Sequence, residues 1–124
     1  MATPTLSKRV PEYDQAQYVI EGLILGAAMA RRVLTYKEVG AAILRSTGYK
    51  IDGRMYGSFL GELVQRTFPR YRVMLSALVV NTETLEPGQG FAPLAIDLGL
   101  AHKDDPETKI VNRTRAAVWK KFAG

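Results

Sequence analysis

A mainly α-helical domain with a small β-hairpin is the fold this chain predicts, and three features carry the prediction. A helix-start signal stands at Thr35 to Glu38, an apolar helical stripe runs from Met55 to Val64, and two apolar segments follow around Pro87-Gly88-Gln89-Gly90. Helix, helix, strand, turn, strand is the order of a winged helix-turn-helix, so the expectation is about four helices plus a two-stranded wing.

Residues 1–13 contain Pro and Thr with little periodicity and are expected to form a flexible N-terminal arm, with Tyr13 anchoring the first helix. One domain is expected over 14–124. Asp14 to Arg32 reads as the longest helix, with Tyr18, Leu25 and Met29 on one stripe and Val19, Ile20, Leu23 and Ile24 widening it. So broad an apolar surface predicts burial on most sides. Gly22, Gly26 and Ala30 recur at four-residue spacing, for which packing inside the monomer is the expected use and a dimer seam the alternative. Arg31 and Arg32 complement the negative end of that helix.

The second helix opens with a reciprocal cap: the Thr35 hydroxyl accepts from the amide three residues on, Glu38 reaches back, and Leu34 staples against Val39. It runs through Val39, Ala42 and Ile43 and stops near Gly48, which tolerates a left-handed turn. The third begins after Asp52-Gly53 and places Met55, Tyr56, Phe59, Leu60, Leu63 and Val64 on one stripe. Its other face is Gly57, Ser58, Gly61, Glu62 and Gln65. Small exposed residues let a helix approach a surface closely, and in a helix-turn-helix that surface is the major groove. The same face would also serve packing against a neighbouring helix, and Glu62 is awkward beside phosphates because like charges repel.

Val73 to Val80 is apolar and β-branched, Asn81, Thr82 and Thr84 lead into the Pro-Gly turn, and Phe91 to Ile96 reads as the returning strand. Asp105 then caps the last helix, Pro106 suits its first turn, and Glu107 and Lys120-Lys121 match the two ends of its dipole. Its apolar face is Ile110, Val111, Thr114, Val118 and Phe122, flanked by Trp119, with Lys109, Arg113 and Lys120 on the solvent side.

A chain of 124 residues with 47% hydrophobic content suits one core. No stretch nears the roughly 20 apolar residues of a bilayer span, and Met1 to Val10 lacks an apolar signal core, so a cytoplasmic protein without membrane contact is expected. The absence of cysteine excludes disulfides, thiolate metal sites and thiol catalysis. The net charge of +5 and pI near 9.6 favour an anionic partner. The cations lie in the helical segments, whereas 73–105 holds Lys103 against Glu83, Glu86, Asp97, Asp104 and Asp105.

The order Thr-Tyr-Lys-Glu-Val-Gly at 35–40, Gly-Arg-Met-Tyr-Gly-Ser-Phe-Leu at 53–60, an apolar strand ending Val79-Val80 and a Gly-bearing turn resembles the DNA-binding domain of methylated-DNA–protein cysteine methyltransferases and the alkyltransferase-like proteins. The likeness covers about residues 35–91. That family's strand carries a Pro-Cys-His-Arg motif whose thiol accepts the alkyl group; here the stretch is Leu75-Ser76-Ala77-Leu78, with Ser76 nearest the cysteine position. A serine with no neighbouring histidine lacks an activating base, so no alkyl transfer and no enzyme activity is expected. Leu75 to Phe91 also resembles small winged-helix modules of mobile-element and phage-type proteins, with Leu-Val-Val-Asn ending the strand and a Pro-Gly-x-Gly-Phe turn.

The resemblance implies duplex DNA as partner, with Met55 to Arg66 as recognition helix, Tyr36 and Lys37 near the backbone, and Arg54 at the recognition helix's leading end. Cations beside helix amino termini bind phosphates, which supports Arg54, Lys37 and Arg66; Ser58 and Gln65 can read base edges, and Lys109 and Arg113 extend the footprint. An accessory or regulatory role on a mobile element or phage, as a homodimer or monomer, is the expected function; a protein-interaction module is the alternative. Neither cofactor nor metal is expected: His102, Asp104 and Asp105 only precede a helix, and Gly-x-x-x-Gly at 53–61 lacks the Lys-Ser or Lys-Thr of a nucleotide loop.

Overall fold

The caps of α2 are the clearest local signals in this computed structural model, which describes residues 2–124. The chain runs α1 (Glu12–Met29), β1 (Leu34–Thr35), α2 (Tyr36–Thr47), α3 (Tyr56–Tyr71), β2 (Val79–Val80), α4 (Phe91–Asp97) and α5 (Glu107–Ala123). Single 3-10 turns at Gly53–Met55 and Leu75–Leu78 precede α3 and β2. The fold is mainly helical, as expected, but its two strands are parallel.

α2 forms as its sequence dictates. Thr35 Oγ1 accepts from the Glu38 amide at 3.2 Å, Glu38 Oε1 accepts from the Thr35 amide at 3.1 Å, and Gly48 ends the helix at φ 79°. α3 runs past Arg66 to Tyr71 even though Pro69 has no amide to offer the Gln65 carbonyl. Gln65 is exposed, so water can serve that carbonyl. Arg72 then closes the helix in a left-handed conformation at φ 61°.

The expected hairpin is absent. Val73 to Val80 is buried throughout, and only Val79 and Val80 form a strand, paired in parallel with Leu34 and Thr35. Leu75 to Leu78 instead winds into the 3-10 turn, all four residues buried. Phe91 to Ile96, the expected returning strand, lies in α4, with Phe91 and Ala95 one turn apart on its buried face. The Pro87 to Gly90 turn therefore delivers the chain into a helix. Phe91, Leu94, Ala95 and Leu98 already stand at helical spacing, and Pro93 lies in the first turn, where its missing amide costs nothing.

α1 is rotated relative to the expected stripe. Ala16, Ile20, Ile24, Ala27 and Ala28 face the core, whereas Tyr18 and Met29 are 62% and 61% exposed. The helix ends at Met29 because Arg31 takes φ 53°, which places Arg31 and Arg32 beyond it. Nor does the N-terminal segment stand free as an arm. Leu6 is fully buried, its amide donates to the Lys50 carbonyl at 2.7 Å, and the Lys50 amide donates to Pro4 at 3.0 Å. In α5, Asp105 does not cap the helix as expected: its carboxylate accepts the His102 amide at 2.9 Å and Pro106 occupies the cap position. Ile110, Thr114 and Val118 nevertheless face inward as their spacing requires.

One core joins these elements, centred on Ile20, Ile24, Ile43, Phe59, Leu63, Leu75 and Ile110. Each such side chain contributes about 1.5–3 kcal/mol on full burial. Among the described residues, no helix is long and apolar enough to cross a membrane.

Candidate nucleic-acid interface

Two tyrosines fix the relation of α2 to α3. Tyr36 and Tyr56, the first residues of those helices, stack with ring centroids 4.4 Å apart and planes 2° from parallel. The Tyr56 hydroxyl donates to the Tyr36 carbonyl at 2.9 Å. Glycine is required on both sides of the stack: a Cβ on Gly40 would lie 2.5 Å from the Tyr56 hydroxyl, and one on Gly88 2.6 Å from that of Tyr36. Burial raises both phenol pKa values; the Gly88 backbone opposes this at Tyr36, and Tyr36 adds to it at Tyr56.

Polar groups gather around this stack. Lys37 is exposed, and its amide donates to Thr82 Oγ1 at 3.0 Å, tying the 81–86 turn to the start of α2. Asp52 accepts the Arg54 amide at 2.8 Å and so caps the 3-10 turn leading into α3. The Arg54 side chain is 94% exposed, with Nε 3.3 Å from Asp52 Oδ1, and this contact holds the Asp52 carboxyl below the usual range. Ser58 is exposed and donates to the Met55 carbonyl at 3.3 Å; Gln65, two turns on, lies exposed on the same face. Between them a Cβ on Gly57 or Gly61 would meet nothing within 4 Å.

A cavity of about 60 Å³ opens beside those glycines, walled by Tyr36, Leu60, Phe91 and Leu94, with Ser76 on its lining. Ser76 is 7% exposed. The chain's single histidine, His102, lies in the turn before α5, where its amide is held by Asp105.

The other cations expected at a DNA surface are placed elsewhere. Arg66 turns to α1, with Nη1 2.6 Å from Glu21 Oε1 and Nη2 3.4 Å from the Gln17 carbonyl. Its guanidinium also lies 4.5 Å from the centre of the Tyr18 ring. Lys109 and Arg113 reach Asp105 at 3.8 and 3.7 Å, and Arg113 lines a separate apolar cleft with Arg72, Met74 and Leu100. The structure thus stacks Tyr36 on Tyr56 and ties Lys37 to Thr82, while Arg54 and Ser58 flank Tyr56 along the chain and Gln65 lies farther along the Ser58 face of α3.

Sequence reading missed the partners of Glu62 and of Tyr36. Glu62 pairs with the Lys8 ammonium and accepts the Tyr13 hydroxyl; the Lys8 hydrogen bond, then that of Tyr13, holds its carboxyl below the usual range. Its charge is thereby matched within the protein. Nothing in the local pattern links Lys8 to Glu62 or Tyr36 to Tyr56, because both contacts need the tertiary fold. The Asp52 cap had a local signal that reading passed over, since an Asp side chain accepts readily from the amide two residues on. No protein-family model, curated protein or solved structure matches this chain.

Proposed function

We propose that this chain is a cytoplasmic, non-enzymatic DNA-binding protein that presents α3 to the major groove of duplex DNA, with α2 crossing the backbone as in a helix-turn-helix. The observation that carries this reading is the outward face of α3, where Gly57, Ser58, Gly61 and Gln65 leave the helix slim beside an almost fully exposed Arg54. Arg54 and Lys37 contact phosphates, Tyr36 supports Lys37 through the stack, and Ser58 and Gln65 read base edges. The matched charge of Glu62 supports the same reading, because it lowers the repulsion of phosphates from that face. No β-wing takes part, because the expected hairpin is absent and the 81–90 turn carries Glu83 and Glu86. Ser76 has no histidine next to it in sequence to activate it, which favours a binding role over an enzymatic one.

A protein partner is the competing reading, favoured by Leu85, which is 63% exposed at φ 59° in the acidic turn. A salt series separates the two. Binding of a duplex by fluorescence anisotropy should weaken with a log–log slope of about −0.9 for each neutralised phosphate, whereas docking through Leu85 barely responds. Arg54→Ala should reduce that slope by about one phosphate and weaken all sequences alike. A duplex affinity that is undetectable at low salt, or a slope unmoved in Arg54→Ala, overturns the assignment.

A further inference from the structure

The outward face of α1 is exposed along its length, with Gln15 donating to the Ser46 carbonyl at 3.0 Å, and it is not built like an ordinary solvated helix. From Gln15 to Ala30 the one charged residue is Glu21, which is 7% exposed and points inward to Arg66, Arg70 and Tyr71. The exposed row is Asp14, Gln15, Tyr18, Gly22, Gly26 and Met29, continued by Ala30. A solvated face of a protein with net charge +5 ordinarily carries Lys, Arg, Glu or Asp throughout. Here charge is confined to the two ends, Asp14 at the start and exposed Arg31 and Arg32 just past the finish.

We propose that this face is the seam between two copies of the chain, whose α1 helices cross antiparallel about a two-fold axis near Gly22. Three observations select a second copy as the occupant. The charges are self-complementary: in an antiparallel pair centred on Gly22, Asp14 of one copy falls opposite Ala30 of the partner subunit, one residue from its exposed Arg31, and the same approach repeats at the other end. The shape is self-complementary too, because that register sets Tyr18 opposite the partner's Gly26, and neither Gly22 nor Gly26 has an atom within 4 Å of where a Cβ would stand. Finally, Tyr18 is already braced. Arg66, clamped by Glu21, lies against its ring, so an exposed aromatic is held in place before any contact forms. Anchors that lose little freedom on binding contribute most to an interface.

The size of the face sets the strength. A single crossing of two 18-residue helices covers less than the roughly 800 Å² per partner of a stable complex, so the dimer dissociates at micromolar concentrations or above. Two-fold pairing does not depend on the DNA reading and survives its failure.

Sedimentation of the whole protein across a concentration series tests it, together with two variants at Gly22. Gly22→Leu enters open space and replaces a poor helix former, so its Tm should equal or exceed that of the wild type while its association falls at least tenfold. Because the chain has no cysteine, Gly22→Cys gives a single thiol next to the axis, and mild oxidation should yield covalent dimers faster than Asn112→Cys, an exposed site on α5. Monomer at every concentration, association undiminished in Gly22→Leu, or equal cross-linking of the two cysteine variants each overturns the seam. A partner of different sequence seated on α1, with the wild type alone remaining monomeric, also overturns it.

Discussion

Arg54 and Arg66 stand near opposite ends of the α3 region and read alike in sequence, yet one guanidinium lies in solvent and the other is clamped. Arg54 meets only Asp52, two residues before it, and its side chain is 94% exposed. Arg66 is 28% exposed and joined to Glu21, the Gln17 carbonyl and the Tyr18 ring. A cation whose partner is a near neighbour on the surface can exchange it for a phosphate at little cost, because an exposed pair contributes only about 0–1 kcal/mol. A cation that satisfies a nearly buried carboxylate cannot leave without stranding that charge. The two ends of α3 thus differ in how freely a cation can change partners, because they differ in what lies across from them.

Replacing the shared acid strikes the clamped end hardest. Glu21→Ala leaves Arg66 and the Tyr71 hydroxyl without their partner and should cost about 3 kcal/mol, read as a lower urea midpoint. Duplex affinity per folded molecule should stay within about twofold. Arg66→Ala should cost less, about 1–2 kcal/mol, because Glu21 keeps Tyr71 at 3.2 Å and Arg70 at 3.8 Å. Unchanged stability together with weakened DNA binding in Arg66→Ala would erase the contrast between the two ends.

Acid should act on α3 through Glu62. Its folded carboxyl is held below the ordinary value, first by Lys8 and then by Tyr13. The stability this provides is complete above the unfolded pKa and is lost as pH falls through the folded one. Urea midpoints at about pH 6 and about pH 3 should therefore differ less in Glu62→Gln than in the wild type. A pH response identical in both proteins would mean that the Lys8–Glu62–Tyr13 contact does not anchor the N-terminal segment. The smallest stability change belongs to Arg54→Ala, whose urea midpoint should match the wild type, since nothing buried depends on that side chain. Its duplex affinity is where the substitution should register.

The α2 helix was legible to the residue, because its start and stop are made by Thr35, Glu38 and Gly48 alone. The inward face of α5 was legible for the same reason: Ile110, Thr114 and Val118 follow helical spacing. The hairpin was not. An apolar run such as Val73 to Val80 announces burial but not the partner, and Val79 and Val80 pair with Leu34 and Thr35, far away in sequence. The orientation of α1 was equally hidden, since apolar residues surround it and Glu21, its one charged residue between Gln15 and Ala30, is turned inward.

The sequence by itself determined both ends of α2, the inward face of α5, and that the chain is cationic with no thiol chemistry. Those properties depend on neighbours within one or two helical turns or on composition. Only the tertiary structure decided that the two strands run parallel, that Glu21 holds Arg66 while Arg54 stays free of buried partners, and that Tyr36 stacks on Tyr56. Each of these depends on groups brought together across long stretches of chain, and burial then sets how firmly a charge or ring is held.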